Sequence, residues 1–64
     1  MKPEEVNQMK LKPGLRLKLT TPSLTYDGTL LSLASDMLEV ALTHGGKAYV
    51  KIGQVQAITV FEGR

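Results

Sequence analysis

The segment 25-TYDGTLLSLASDMLEVAL-42 determines how this chain folds. In its second half the apolar residues Leu38, Val40 and Leu42 fall on every second position. A period of two gives a β-strand one apolar face. The polar pair at positions 35–36 comes just before this strand and is typical of a turn. The segment therefore predicts two strands joined as a hairpin.

The first half of the same segment changes its pattern partway along. Tyr26, Gly28 and Leu30 share one face of an extended strand, whereas Leu31 and Leu33 share the other. A switch of this kind predicts a β-bulge or a sharp bend. Gly28 has no Cβ, so the strand can curl most easily there. A long, bent central hairpin is typical of the frame of a small β-barrel.

The clearest half-buried strand lies before this hairpin. Leu15, Leu17 and Leu19 alternate with Arg16 and Lys18, which places the leucines on one face and the two cations on the other. We therefore expect a strand with a basic outward face.

The remaining helix, turn and strands are predicted from shorter sequence patterns. Pro3 and two glutamates favour a short helix over 3–10, which would have to dock on the rest of the domain to be stable. Two adjacent glycines at 45–46 indicate a turn. Alternation over 47–52 predicts a fourth strand, and a one-turn 3₁₀ segment leads into a fifth strand over 57–61.

Five strands in 64 residues leave no room for crossover helices, so the sheet must be antiparallel. The predicted fold class is mainly β: a five-stranded, antiparallel, bent barrel with a short N-terminal helix. The chain is one domain, with a helix and linker at 1–12, the barrel at 14–61 and a loose tail at 62–64.

The length of the chain predicts self-association. A domain this small buries little apolar surface, and without cysteine it has no disulfide and no thiolate metal site. We therefore expect a homo-oligomer. The lack of cysteine is compatible with the cytoplasm, which is the expected location. We expect no signal peptide and no membrane association, since no segment is apolar enough for either.

Positive charge is concentrated near the N-terminus. The net charge is only +2, but residues 1–20 contain five lysine or arginine residues against two glutamates. Two interpretations stay open: a solvated surface, or a modest basic face that contacts phosphate.

No residue pattern indicates an enzyme. His44 lies beside two glycines in a turn, and Asp27 and Asp36 are too far apart in sequence to be paired by spacing. Nucleophile elbows, phosphate-binding loops and metal-ligand spacings are absent from the sequence. We therefore predict a protein without catalytic activity, cofactor or metal.

Two aromatic residues fall on the face opposite the core. Tyr49 and Phe61 each alternate with the apolar residues of their strands. If exposed, they are candidates for a subunit contact. The alternative is that they cover the end of the barrel or the docked helix.

Several of these segments resemble the Sm-like family. A short helix followed by five bent strands is its layout, and Tyr26–Leu30 resembles the glycine-bearing second strand of its first motif. Val50–Gly53 resembles the core of its second motif: an apolar residue, a basic residue and glycine. Asp36 and Met37 are similar to the acidic and base-contacting positions of the bacterial Hfq branch, and Gln56 stands where that branch has a histidine.

The chain departs from the family at several positions. Glu39 stands where the family has a base-binding asparagine, Lys51 and Gly53 are separated by one residue, and the Hfq pair of lysine and histidine is missing. Residues 28–58 also resemble the C-terminal SH3-like domain of the ribosome maturation factor RimP, and this resemblance implies a contact with protein.

The Sm-like resemblance implies single-stranded RNA as ligand, bound by loops around the pore of a ring. The RNA-binding residues we predict are Asp36, Met37, Lys47, Lys51, Gly53 and Gln56, and the predicted interface residues are Tyr49 and Phe61. The alternatives are an SH3-like module that binds a protein partner without affinity for nucleic acid, and a small accessory domain of unknown ligand.

Overall fold

Five antiparallel strands form a single sheet in the computed structural model, which describes residues 1–61. The elements are α1 (Pro3–Gln8), β1 (Arg16–Thr20), β2 (Thr25–Leu33), β3 (Met37–Leu42), β4 (Lys47–Lys51), the 3₁₀ turn η1 (Ile52–Gln54) and β5 (Ala57–Phe61). The mainly β, antiparallel fold class is therefore confirmed. The predicted loose tail at 62–64 lies outside the described residues.

The sheet does not close into a barrel. The strand order is β4-β3-β2-β1-β5, and within residues 1–61 the two end strands pair with no further strand. Closure would require pairing between β4 and β5. Instead η1 joins these strands directly, and α1 packs against η1. Val6 of α1 and Ile52 of η1 belong to the core cluster on the apolar side of the sheet.

The predicted irregularity lies in β2. Leu30 pairs with Val40 and Ser32 with Glu39, so the register shifts between positions 30 and 32. Leu31 is the extra residue of this bulge and is exposed. The bulge explains why apolar residues change face along β2.

One apolar cluster holds the elements together. Nine hydrophobic residues from α1, β1, β2, β3, β4, η1 and the position after η1 are buried. They are Val6, Leu17, Leu19, Leu30, Leu38, Val40, Val50, Ile52 and Val55. β5 adds only partly buried Ile58 to this cluster, so β5 is the more loosely anchored of the two end strands.

The N-terminal helix is docked, as its length requires. Val6 is fully buried, and the amino group of Met1 donates a hydrogen bond to the carbonyl of Val55 at 2.6 Å. The Glu5 carboxylate accepts from the backbone N–H of Lys2 at 2.8 Å and fixes the first turn. Among residues 1–61, no helix has the length and apolar character needed to cross a bilayer.

Candidate nucleic-acid interface

Four of the predicted RNA-binding residues lie at one end of the sheet. Met37 and Lys51 are directly opposite each other in the β3–β4 register. The Asp36 carbonyl accepts a hydrogen bond from the N–H of Ile52 at 2.9 Å, which ties the β2–β3 turn to the start of η1. Gly53 is the next residue along η1. We call Asp36, Met37, Lys51 and Gly53 the turn site.

The turn site presents one cation, one carboxylate and one thioether. Asp36, Lys51 and Gly53 are exposed, and Met37 is half-buried. A lysine ammonium group donates to phosphate, whereas a carboxylate accepts from base amino and imino groups. The thioether of Met37 adds an apolar contact.

Gln56 lies beside β1 and not in the turn site itself. Its N–H donates to the Thr20 carbonyl at 2.7 Å. Gln56 is four positions beyond Ile52 in the chain, so the two lie at most roughly 14 Å apart. In the described structure Gln56 makes no backbone hydrogen bond to Asp36.

Lys47 is separated from the turn site. It is at the opposite end of β4 from Lys51, about 13 Å away along the strand. Its Nζ lies 3.2 Å from the Glu39 carboxylate, which also accepts from the Ser32 hydroxyl at 2.9 Å and from the Tyr49 hydroxyl at 3.4 Å. The positive charge of Lys47 is thus partly neutralised by the carboxylate of Glu39.

These contacts shift the titration of both charged partners. Hydrogen bonding from Ser32, followed by that from Lys47, lowers the pKa of Glu39. Hydrogen bonding to Glu39 raises the pKa of Lys47. The position that resembles the Sm asparagine therefore holds a carboxylate that is paired within the sheet, and it is not presented in a loop.

The lowered pKa of Glu39 predicts a specific loss of stability in acid. A carboxyl group with a depressed folded-state pKa stabilises the protein above its unfolded pKa, and this contribution is lost as the pH falls through the folded value. We expect Glu39→Gln to be less stable than the native chain at neutral pH and to lose less stability on acidification. Urea unfolding from neutral pH to about pH 3 checks this. Parallel pH profiles for the two proteins would contradict it.

The predicted interface residues are exposed on the two end strands. Tyr49 on β4 is 64% exposed and Phe61 on β5 is 40% exposed. Both side chains are on the face of the sheet opposite the core. The arginine of β1 lies over the Phe61 ring, with the Arg16 Cζ 5.7 Å from its centroid.

Arg16 and Lys18 form a basic strip that the predicted RNA-binding set left out. Both side chains are exposed on the outward face of β1, as the alternation with leucine predicted. The pairing of β1 with β5 places Arg16 directly opposite Phe61. The alternation in the sequence predicts which face of β1 Arg16 and Lys18 occupy, but it does not predict which strand lies next to β1.

The described residues offer no enclosed site. Between Met1 and Phe61 there is no pocket for a small molecule and no group of three or more His, Cys, Asp or Glu residues able to hold a metal ion.

Comparisons with protein-family models, with curated proteins and with solved structures each gave no match to this chain.

Proposed function

We propose that this protein is an Sm-like, self-associating domain that binds single-stranded RNA. The observation that carries the proposal is the pair of unpaired end strands, β4 and β5, in the described sheet. An open edge presents a row of unpaired backbone groups and pairs readily with another chain. The order of one short helix and five strands also supports the Sm-like assignment.

The charges of the two edges favour pairing of unlike strands. β4 has lysines at both of its ends, Lys47 and Lys51, so two copies of β4 would bring like charges together. β5 is Ala57–Phe61, with the sequence AITVF, and has no charged residue. Native edges that must not pair are usually protected by charge or proline. β4 of one subunit would therefore pair with β5 of the next, and such a head-to-tail contact forms a ring when its rotation closes.

Self-association would make a weak RNA site effective. The turn site has a single lysine, too little charge for tight binding by one subunit. In an oligomer each subunit would present the same site to one RNA strand, and linked weak contacts increase the overall affinity. The proposed RNA binding thus depends on the assembly.

The test is the salt dependence of RNA binding. We expect labelled uridine-rich or adenine-rich oligonucleotides to bind at micromolar protein, with affinity falling as salt is raised. Lys51→Gln is expected to weaken binding several-fold and to reduce the slope of log K against log salt by about 0.7, the value for one phosphate contact with a single strand.

Lys47→Gln is the matched comparison, since it makes the same charge change on the same strand. We expect it to weaken binding less, because Lys47 is already paired with Glu39 at 3.2 Å. Fluorescence anisotropy measures both variants. Absence of salt-sensitive binding to either oligonucleotide by the native protein would refute the RNA proposal.

Binding of a protein partner is the second candidate. The observation that favours it is Tyr49, which is 64% exposed beside the open edge of β4. An extended peptide that adds to a sheet edge gains backbone hydrogen bonds, and an exposed aromatic side chain beside the edge gives specificity. This candidate predicts a monomer or dimer without affinity for RNA.

A further inference from the structure

We infer that the outward face of β5, β1 and β2 is a second binding surface for single-stranded RNA, separate from the turn site. We call it the Phe61 face, made of Phe61, Thr59, Arg16, Lys18, Thr29 and Asp27. The inference rests on the proposed function, since it extends RNA binding to a new part of the chain. On the Phe61 face, an RNA base stacks on the Phe61 ring, and Arg16 and Lys18 bind the phosphate backbone of the RNA.

The strand registers place these residues in two adjacent rows. Arg16 lies between Phe61 and Thr29, and the next outward residue, Lys18, lies between Thr59 and Asp27. Successive outward residues of one strand are about 6.6 Å apart. The two cations of β1 therefore occupy the centre of the face, with the aromatic ring at one side.

The aromatic ring is accessible to a planar ligand. Phe61 is 40% exposed, and its neighbour on β5, Thr59, is exposed and short. The Arg16 guanidinium carbon lies 5.7 Å from the ring centroid, within the range of a cation–π contact. Aromatic rings and arginine planes are the groups on which proteins stack unpaired RNA bases.

The carboxylate of Asp27 leaves the guanidinium group of Arg16 free to bind a ligand. Asp27 Oδ1 lies 3.9 Å from Arg16 Nη2, beyond hydrogen-bond distance, and the two side chains are 40% and 59% exposed. Asp27 Oδ1 is itself buried and has no hydrogen-bond partner in the part of the chain that the structure describes, so it holds the Arg16 guanidinium group by charge alone. Among residues 1–61 this face has two cations against one carboxylate, a net positive charge that favours a polyanion over an uncharged peptide.

Subunit pairing through β5 would place side chains of the neighbouring β4 beside this surface and not over it. Edge pairing uses backbone groups in the plane of the sheet, whereas side chains stand perpendicular to it. The Phe61 ring therefore stays on the face when the β5 edge is occupied.

A tryptophan at position 61 tests the inference directly. The chain has no tryptophan, so Phe61→Trp supplies a single indole fluorophore at the proposed stacking position. We expect its emission to be quenched when an adenine-rich oligonucleotide is added. Leu24→Trp is the matched control: Leu24 is 51% exposed in the loop before β2, at the far end of β1 from Phe61. Its emission is expected to stay unchanged.

Affinity measurements complete the test. Phe61→Leu is expected to weaken RNA binding roughly 5- to 100-fold, as loss of one stacked base does, and Phe61→Tyr is expected to retain it. Asp27→Asn removes the carboxylate that the described residues place on this face and is expected to strengthen binding. A purely structural role for Asp27 would not produce an increase in affinity.

The outcomes separate this inference from the proposed function. If the native protein binds RNA by anisotropy, but the emission of Phe61→Trp is unchanged and Phe61→Leu binds normally, the Phe61 face is refuted while RNA binding stands. If the emission of Phe61→Trp changes with protein concentration and not with RNA, the face is a contact between copies of this chain, which also overturns the inference. If no RNA binds by either method, both proposals fall.

Discussion

Replacing Gly28 with alanine is expected to remove a large part of the protein's stability. A Cβ at position 28 would overlap the backbone carbonyl oxygen of Ala41 and would lie 2.9 Å from the Val40 Cγ1. The oxygen belongs to the backbone of the paired strand β3, so it cannot move aside without breaking the β2–β3 ladder. Overpacking of this kind costs about 3 kcal/mol or more. A domain of 64 residues has only roughly 3–10 kcal/mol of stability to lose.

Gly53→Ala is the matched control for this prediction. Nothing lies within 4 Å of a Cβ built at Gly53. We expect its free energy of unfolding to remain within about 0.5 kcal/mol of the native value. Urea unfolding followed by circular dichroism compares the two variants. Equal stability of Gly28→Ala and Gly53→Ala would show that β2 and β3 do not approach as closely as described.

The second large effect is expected at the edge of β5, which pairs with no further strand within residues 1–61. Thr59 is exposed at the centre of this strand. If β5 pairs with β4 of a neighbouring subunit, a lysine at position 59 comes close to Lys47 and Lys51. Like charges placed together across an interface cost several kcal/mol, so Thr59→Lys is expected to weaken self-association by at least tenfold.

The charge-reversed variant identifies which edges pair. Thr59→Glu would meet lysines on β4 and is expected to maintain or strengthen the assembly. In a contact between two copies of β5, each new charge would meet its own copy, and both variants would dissociate. Thr25→Lys is the control, because Thr25 is exposed on β2, which is flanked by β1 and β3. Sedimentation velocity measures all three variants.

The sequence was most informative where alternation was strict. Leu17 and Leu19 of β1 are buried and Arg16 and Lys18 are exposed, as a period of two predicts. The change of face after Leu30 also predicted the bulge in β2. These features are local, because they depend on which side of one strand a residue faces.

Closure of the sheet could not be predicted in the same way. Whether β4 meets β5 depends on the accumulated bend of five strands and on where α1 docks through Val6. A pattern within single strands does not contain that information. The proposed assembly depends on the two end strands, which are unpaired in the part of the chain that the structure describes.

Only part of the candidate site could be predicted from the sequence, because its contacts also depend on how the strands pair. Resemblance to the Sm-like motifs placed Met37 and Lys51 in one predicted site, and the β3–β4 register shows that they are neighbours. The pairing of Lys47 with Glu39 follows from the same register, which the short 43–46 turn sets. The contact between Arg16 and Phe61 joins distant segments, so nothing in either segment alone indicated it.

The most direct test of the account is the molar mass of the native protein in solution. Sedimentation or light scattering over a range up to about 100 µM should show a discrete assembly of several 7.0 kDa subunits, since the open β4 and β5 edges pair by mass action. A single 7.0 kDa species across that range would contradict the account.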